Sequence, residues 1–281
     1  MKQAGPVPQT APPSRDKMIC PLCGSLNIRD AIRKDPFLKK CGACRIVFTH
    51  PFPRTSGEVY DEKYYRIWHE EQAAKRLKLW ARRLRTVKRF CSAGPLLDIG
   101  TGDGLFLRFA REAGFDVFGT EISPTAVAAA KKMHGLSVEL AAIEETNFRD
   151  NFFEAITVWH VIEHVQNPRG LISKSYQLLK PGGFLFCATP NLNKNLSRAY
   201  FRAAHLRPFP FYSSHGEQHV FHFTEDTLRN LVEKAGFKVK LAGVDFAAVR
   251  PKYQLFEVLS FILSSLIGRN WNENLLLVAQ K

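Results

Sequence analysis

The sequence predicts an α/β fold, with helices on both faces of a mostly parallel sheet and a small metal-binding ribbon ahead of it. From Leu96 onward, apolar strands alternate with helices, an order typical of a parallel sheet covered on both faces. Upstream, two C-x2-C pairs are separated by seventeen residues, a spacing typical of four-thiolate zinc sites.

The size and composition of the chain fit this organisation. Its 281 residues, of which 45% are hydrophobic, suffice for one large α/β domain plus a small module. The N-terminus lacks the apolar region of a signal peptide, and no apolar run reaches the ~18 residues that a membrane-spanning helix needs. We therefore expect a cytoplasmic protein.

Four segments are expected along the chain. Residues 1–17 contain four prolines and few apolar groups, which predicts a disordered tail. We assign residues 18–52 to the zinc ribbon and 53–92 to a linker with a basic amphipathic helix. The α/β domain is expected to occupy residues 93–281.

The ribbon prediction depends on four cysteines: Cys20, Cys23, Cys41 and Cys44. Each C-x2-C pair can wrap one side of a tetrahedral ion, and four thiolates leave no open position for a substrate. Disulfides between them are not expected in a reducing compartment. We therefore expect a structural zinc ion, whereas Cys91 and Cys187 are expected to be ordinary apolar side chains.

The basic helix carries much of the net charge of +14. Eight lysines and arginines lie between Lys75 and Arg89. Apolar residues recur among them at helical spacing, at Leu77, Trp80, Leu84 and Val87. The pattern predicts an amphipathic helix with a basic outer face. That face is either simply solvated or attracts an anionic partner, such as a phosphorylated glycan, a nucleotide-linked sugar, RNA or acidic lipid.

A glycine-rich turn follows the first strand of the α/β domain. The strand contains Asp98 and leads into Gly100, Gly102 and Gly104, where the missing Cβ lets the backbone approach a ligand closely. In a dinucleotide-binding G-x-G-x-x-G motif the third glycine would fall on position 105, which is leucine. The Asp98 carboxylate would also repel a pyrophosphate, so the pattern favours a ligand with a positive charge, such as an ammonium or a sulfonium.

The later elements continue the alternation of strands and helices. Glu121 ends the second strand about twenty residues beyond the glycine turn, where an acid is placed to bind ribose hydroxyls. Helix starts are expected at Ser123-Pro124, Asn167-Pro168 and Thr224. Strands are expected at 137–141, 154–159, 184–188, 237–241 and 275–279, and a loop at 180–183 is expected to close the second of these helices.

Histidines and an acid follow the fourth and fifth strands. His160, Glu163 and His164 come after the strand that ends at Trp159, and His219 lies beyond the fifth strand. Ligands of an open α/β sheet bind outside the carboxyl ends of its strands, so these side chains are placed near the site. A histidine there can act as general base; alternatively, Glu163 and His164 only brace the loop through hydrogen bonds.

These segments together resemble the class I S-adenosylmethionine (SAM) dependent methyltransferases. Among these methyltransferases, the segments are similar to those of a bacterial subgroup that includes ubiquinone-biosynthesis O-methyltransferases. Members of this subgroup often carry an N-terminal zinc ribbon. The resemblance covers residues 60–281 and implies a Rossmann-like sheet of seven strands, the last one antiparallel. It also implies SAM contacts from Asp98, Gly100, Thr101, Gly102, Gly104, Glu121, Ile122, Ile143 and Trp159.

The candidate catalytic residues are His160, Glu163, His164 and His219. Without a metal, His160 or His219 can act as general base, because a histidine titrates near neutral pH. The chain is more distantly similar to small-RNA 2′-O-methyltransferases, and some relatives bind a divalent ion through Glu-x-x-Glu-His and a later histidine. His160 replaces the first acid of that pattern, and losing a hard oxygen ligand weakens the case for Mg²⁺. Two histidines and one acid suit a catalytic transition metal better, or no metal at all.

We therefore expect a methyltransferase that O-methylates a small molecule, a sugar or glycan, or a lipid-linked intermediate. One alternative is an RNA methyltransferase that holds phosphates with the ribbon and the basic helix. Another is a SAM-binding scaffold without activity. The apolar segment 255–267 is too short to span a bilayer; it either makes peripheral contact with a membrane or packs in a dimer or against the sheet.

Overall fold

The computed structural model describes residues 18–32, 35–52, 73–193, 219–246, 251–267 and 270–281. The expected tail at 1–17 and the first part of the linker, 53–72, lie outside the described residues. The strands are β1 Ile28–Ile32, β2 Asp35–Cys41, β3 Val47–Thr49, β4 Gly94–Ile99, β5 Phe115–Glu121, β6 Glu139–Leu140, β7 Phe153–Trp159, β8 Leu179–Pro190, β9 Phe221–His222, β10 Lys238–Val244 and β11 Asn274–Gln280. The helices are α1 Ala73–Lys88, α2 Leu105–Glu112, α3 Pro124–His134, α4 Pro168–Leu178, α5 Glu225–Lys234 and α6 Pro251–Ile267.

Seven strands form the main sheet, in the order β10-β11-β8-β7-β4-β5-β6. The five strands from β8 to β6 pair in parallel, while β11 runs antiparallel to both of its neighbours. The predicted α/β architecture is therefore confirmed, together with the antiparallel last strand. The expected helix starts also hold, because Ser123, Asn167 and Thr224 each accept a backbone N–H bond in the first turn.

The strand boundaries differ from the predicted ones by up to five residues, as at β8 and β6. Residues 180–183, expected as a loop, belong to β8. The Gly182 amide donates to Lys281 O and its carbonyl accepts a bond from the Gln280 side chain, so the end of β11 draws this stretch into the sheet. The third strand of the domain is shorter than expected, 139–140 instead of 137–141.

The core lies on both faces of the main sheet. Leu96 and Leu97 are both fully buried, but they belong to different apolar clusters, because successive side chains of a strand point to opposite faces. The cluster that contains Leu97 continues into the N-terminal module through Ile46 and Phe48. The two parts of the chain therefore share one hydrophobic core.

A second sheet joins the N-terminal module to the C-terminal half of the chain. Its order is β1-β2-β3-β9, and all its pairs are antiparallel. The strand β9 comes from residues 221–222, far outside the segment 18–52 assigned to the ribbon. It is fixed there because Thr49 N–H donates to Val220 O, while Val220 and Phe221 N–H donate to Glu163 O.

The helix α1 is amphipathic and its outer face is basic, but two of the eight basic residues of this stretch do not lie on that face. Arg76 and Arg83 are buried, whereas Leu77, assigned to the apolar face, is exposed. Each buried arginine is paired with a buried acid, Arg76 with Asp103 and Arg83 with Asp245. The sequence pattern did not reveal the acids Asp103 and Asp245 as partners, because they lie far from α1 along the chain.

Among the helices that the structure describes, none has both the length and the apolar character needed to cross a bilayer.

Candidate active site

The glycine turn follows the carboxyl end of β4, and its backbone conformation favours glycine. Gly100, Gly102 and Gly104 have φ values of 69°, 57° and 78°, in the left-handed region that side chains with a Cβ rarely adopt. Space is also short at Gly100, where an added Cβ would lie 2.5 Å from Val161 Cγ2. Gly100 therefore serves both the shape of the turn and its packing against the loop after β7.

Asp98 lies in the middle of the sheet, close to this turn. It pairs with Thr157 of β7, and Thr157 Oγ1 donates a hydrogen bond to Asp98 Oδ1 at 2.6 Å. Burial raises the pKa of Asp98 to about 7, although the hydrogen bond from Thr157 and the charge of Arg83 act in the other direction. A cation brought against this carboxyl would favour its charged form.

Glu121, at the end of β5, reaches back to the glycine turn. Its Oε2 accepts a hydrogen bond from Gly102 N–H at 2.8 Å, and its Oε1 accepts bonds from Ile122 N–H at 2.8 Å and Ser123 N–H at 3.0 Å. Burial raises the pKa of Glu121, and these amides partly offset the effect by stabilising the carboxylate. The structure thus brings the second acid and the glycine turn into direct contact.

The other residues expected around SAM lie at or just after the carboxyl ends of the parallel strands. Thr101 is buried and its amide donates to Thr120 O at 3.0 Å. Ile143 is buried at the start of a short 3-10 turn, and Trp159 is buried at the end of β7. The Ile122 side chain is exposed, so only its amide takes part in the contacts described above.

His160 follows β7 with an unusual backbone. Its φ is 57°, and its N–H donates to Ala188 O at 2.8 Å; such a conformation in a non-glycine residue costs about 1–3 kcal/mol. The ring nitrogens face two acids, with Nδ1 3.2 Å from Glu163 Oε1 and Nε2 3.8 Å from Asp245 Oδ2. Burial alone would lower the pKa of His160, but the two carboxylates outweigh it and raise this pKa.

A buried ion pair next to His160 was missed by the sequence analysis. Arg83 donates to Asp245 Oδ2 from Nη2 at 2.5 Å and from Nε at 3.2 Å. The guanidinium lies 4.8 Å from the ring centres of both Trp80 and Trp159. Burial would raise the pKa of Asp245, but Arg83 holds it well below its usual range, so a charged carboxylate stays beside His160 Nε2.

A second missed pair fixes the far end of the glycine turn. Arg76 Nη2 donates to both carboxylate oxygens of Asp103, at 2.6 and 2.7 Å, and Asp103 Oδ1 accepts a bond from Leu105 N–H at 3.2 Å. One sequence signal existed for the arginines, because Arg76 and Arg83 lie seven residues apart and thus share a helix face. No comparable signal marked Asp245.

Glu163 is fully buried and connects three segments. Its Oε1 faces His160 Nδ1, its Oε2 accepts a hydrogen bond from Thr189 Oγ1 at 2.9 Å, and its backbone oxygen holds Val220 and Phe221 at 2.8 and 3.0 Å. Burial by itself would raise the pKa of Glu163. The hydrogen bond and charge of His160 outweigh burial and lower this pKa to about 2, so the acid stays ionised.

Two further histidines lie beside Glu163. The rings of His164 and His219 are 4.9 Å apart in an edge-to-face arrangement. Ligand atoms of Glu163, His164 and His219 all lie within 4.8 Å of one another. This set differs from the four positions expected from the sequence, since His160 contacts Glu163 but is not one of the three. His222 is held by Thr49 Oγ1 at 3.2 Å.

The four cysteines of the N-terminal module come together. Their sulfurs all lie within 4.8 Å of one another, with 3.6 Å between Cys20 and Cys44 and between Cys23 and Cys41. Sulfurs bound to one zinc ion with Zn–S bonds of about 2.3 Å would be about 3.8 Å apart in a tetrahedron. The donor set and its spacing therefore fit zinc, whereas Cys91 and Cys187 stand outside the group.

Comparisons with known proteins agree with this geometry. The family model described as "Methyltransferase domain" matches residues 67–241, well over half of the chain. A ubiquinone biosynthesis O-methyltransferase of Hydrogenovibrio crunogenus is 26% identical over 184 residues, which cover 62% of this chain and 75% of that protein. A protein with the same name from Cereibacter sphaeroides is 30% identical over 147 residues, covering 50% of this chain and 59% of that protein, less than two thirds of its length.

The fold is also found among solved structures. A SAM-dependent methyltransferase from Archaeoglobus fulgidus superposes with a TM-score of 0.55 at 20% identity, covering 78% of this chain and all of that chain. The order of the strands, the glycine turn and the family match lead to the same assignment. The chain belongs to the methyltransferase domain family, as a SAM-dependent methyltransferase.

Proposed function

We propose that this methyltransferase transfers the methyl group of SAM to a hydroxyl of a small molecule, a sugar or a lipid-linked intermediate. The relatives named above are O-methyltransferases of ubiquinone biosynthesis, which supports a small-molecule acceptor. The observation that carries the proposal is the position of His160, which lies between two carboxylates. It directly follows β7, at the carboxyl ends of the strands, where Asp98 also lies. A base at this place suits a hydroxyl, which gains from proton removal as it attacks.

The proposed SAM site consists of the glycine turn and its two acids. Asp98 faces the amino acid end of SAM and stabilises its positive charge. Glu121 accepts hydrogen bonds from the ribose hydroxyls, and Ile143 contacts the adenine. When bound, SAM supplies a methyl group activated by its sulfonium. The contacts within the turn, above all Gly102 to Glu121, preorganise this half of the site.

His160 is the proposed general base. Its Nδ1 faces Glu163, which leaves Nε2 to take the proton of the acceptor hydroxyl. The hydroxyl oxygen attacks the methyl carbon as the carbon–sulfur bond breaks, and the proton passes to His160. Asp245 and Glu163 then stabilise the imidazolium. General-base catalysis of this kind contributes about 10²–10⁴-fold to a rate.

The four cysteines are proposed to hold a structural zinc ion. Four thiolates fill its coordination sphere, so the ion organises the ribbon and takes no part in methyl transfer. Glu163, His164 and His219 form a second set, which matches the borderline donors preferred by transition metals. The reaction either uses a catalytic divalent metal bound by these three residues or proceeds without a metal. Measuring the metal content of the purified protein distinguishes these two possibilities. A catalytic metal held by Glu163, His164 and His219 predicts a second metal ion per chain besides zinc. It also predicts that chelated protein reloaded with zinc alone stays inactive until this second metal is added.

The proposed function is tested with SAM that carries a labelled methyl group. Purified protein is incubated with fractionated extract, and label is followed into RNA, protein, organic-soluble lipid, and glycan or small molecules. We expect label in the last two fractions, lost in Asp98→Asn and reduced at least a hundredfold in His160→Asn. Lys234→Gln, at an exposed residue in the last turn of α5, is the control and should keep full activity.

Other outcomes support the alternative functions. Label that enters RNA, with binding that weakens steeply as salt increases, indicates that the exposed basic residues hold phosphates. SAM binding without any labelled fraction, unchanged in His160→Asn, indicates a SAM-binding scaffold. Either result contradicts O-methylation of a small molecule.

A further inference from the structure

From Glu257 to Ile267, α6 has three polar residues on its inner face and most of its apolar residues outside. Glu257, Ser260 and Ser264 are buried, and they lie on one face at positions i, i+3 and i+7. The exposed apolar residues are Val258, Leu259, Phe261, Ile262, Leu266 and Ile267, with Leu266 78% exposed. A helix on a protein surface normally has the opposite arrangement, so this outer face needs an apolar neighbour.

Hydrogen bonds fix α6 in this orientation. Ser264 Oγ donates to Ser260 O at 2.5 Å, and it accepts bonds from Trp271 N–H at 2.9 Å and from the Asn272 side chain at 3.2 Å. Asn272 is fully buried just before β11. Rotating the helix to hide its apolar face would break these bonds and leave buried polar groups unpaired, which is costly. The exposure of the apolar face is therefore built into the fold.

The apolar face of α6 continues into a row of basic residues on α1. Phe261 contacts Phe246, with ring centres 5.6 Å apart, and the Arg82 guanidinium lies 6.0 Å from the Phe246 ring. Arg82 also donates a hydrogen bond to Phe246 O. Four exposed basic residues share one side of α1 and the turn after it at helical spacing: Lys78, Arg82, Arg85 and Arg89. No acid interrupts α1.

We propose that this joint surface, the apolar face of α6 with the basic row of α1, docks on an anionic lipid bilayer. An exposed apolar helix face beside lysine and arginine side chains is the combination that holds amphipathic helices in the interface of anionic membranes. The seventeen residues of α6 are too few to span the hydrocarbon core. A second copy of the chain fits less well, because the contact would bring two basic rows together on chains of net charge +14.

The surface ends at the candidate active site. Phe246 follows Asp245, whose carboxylate pairs with Arg83 and faces His160. If the proposed function holds, a lipid-linked acceptor in the bilayer would meet the site without crossing bulk water. Membrane docking itself does not depend on methyl transfer, so its test reads binding alone.

The test is cosedimentation of the full chain with vesicles. Phosphatidylcholine vesicles are compared with vesicles that also contain phosphatidylglycerol. We expect binding to the anionic vesicles and its loss at high salt. Leu266→Glu should weaken binding at least tenfold, whereas Met133→Glu, at an exposed apolar residue of α3, should leave it unchanged.

A second pair of variants tests the basic row. Replacing Arg85 and Arg89 by glutamine should weaken binding about twenty-fivefold, since each basic residue near an anionic surface contributes about fivefold. Glutamine at Lys131 and Lys132, on the exposed side of α3, is the control and should have little effect. Circular dichroism melts of all variants verify that they fold.

Two results would overturn the proposal. One is binding to anionic vesicles that Leu266→Glu leaves as strong as in the natural chain. The other is absence of vesicle binding together with a dimer, seen by analytical ultracentrifugation, that Leu266→Glu dissociates. The second result would assign the apolar face to contact between copies of this chain.

Discussion

Arg83 and Asp245 form a buried ion pair across 162 residues of sequence, with 2.5 Å between Nη2 and Oδ2. The pair connects α1 to the end of β10, and Asp245 also faces His160 Nε2. The helix predicted to have a basic outer face therefore also supplies a buried positive charge, which acts on the proposed base His160 through Asp245. Arg83 and Asp245 are thus positioning residues that act through His160.

The first prediction concerns the stability of this pair. Arg83→Met leaves the Asp245 carboxylate buried without its partner and should lower the free energy of unfolding by about 3–5 kcal/mol. Arg85→Met changes an exposed residue of the same helix and should cost at most about 0.5 kcal/mol. Urea denaturation of the two variants measures the difference, and equal costs would contradict a specific ion pair.

The double variant separates the ion pair from general packing damage. If the cost comes from the uncompensated carboxylate, adding Asp245→Asn to Arg83→Met should recover part of the lost stability. Strict additivity of the two single substitutions would indicate that they act independently.

The second prediction concerns the glycine turn. In Gly100→Ala, the alanine must adopt a positive φ, and its Cβ would lie 2.5 Å from Val161 Cγ2. Gly114→Ala meets a positive φ of 92° but no atom within 4 Å. The strain common to both is about 1–2 kcal/mol, so Gly100→Ala should lose more stability and should also abolish SAM binding. Thermal melts and calorimetric titration with SAM measure the two effects; retention of full SAM affinity in Gly100→Ala would contradict the proposed role of the turn.

The third prediction concerns the pH dependence of SAM binding. The pKa of Asp98 without ligand is about 7, and a bound cation stabilises the carboxylate and lowers this pKa. Binding therefore releases a proton below pH 7, so SAM affinity should rise as pH increases toward 7 and level off above it. Asp98→Asn should bind more weakly and lose this dependence. Calorimetry in buffers of different ionisation enthalpy measures the released proton, and a pH-independent affinity in the natural chain would refute the link to Asp98.

The fourth prediction concerns the ribbon. Removing zinc with a chelator, or replacing Cys41 by serine, should lower the melting temperature and also reduce methyl transfer. The second effect follows from β3, which pairs with β9, and from Thr49 Oγ1, which donates to His219 O at 2.7 Å. Cys91 lies outside the four-cysteine cluster, so the Cys91→Ala variant should keep both its zinc content and its activity. A zinc-free protein with unchanged activity would show that ribbon and site are uncoupled.

The sequence determined the features that short-range chemistry encodes. The glycines at 100, 102 and 104 signalled a turn because their positive φ is a local backbone property. The helix starts at Ser123, Asn167 and Thr224 were predictable because capping involves residues only a few positions apart. The two C-x2-C pairs indicated a four-sulfur cluster because each pair presents its ligands within one turn.

Only the tertiary structure decided which charges are buried and which apolar residues are exposed. Arg83 looks like its neighbour Arg82 in sequence, and its inward direction depends on Asp245, a partner that no local pattern marks. The two-residue strand β9 exists because β3 is present to accept it, and α6 presents its apolar face because Ser264 is held by Asn272. In each case the deciding energy comes from contacts between groups distant in sequence, so it is absent until the chain has folded.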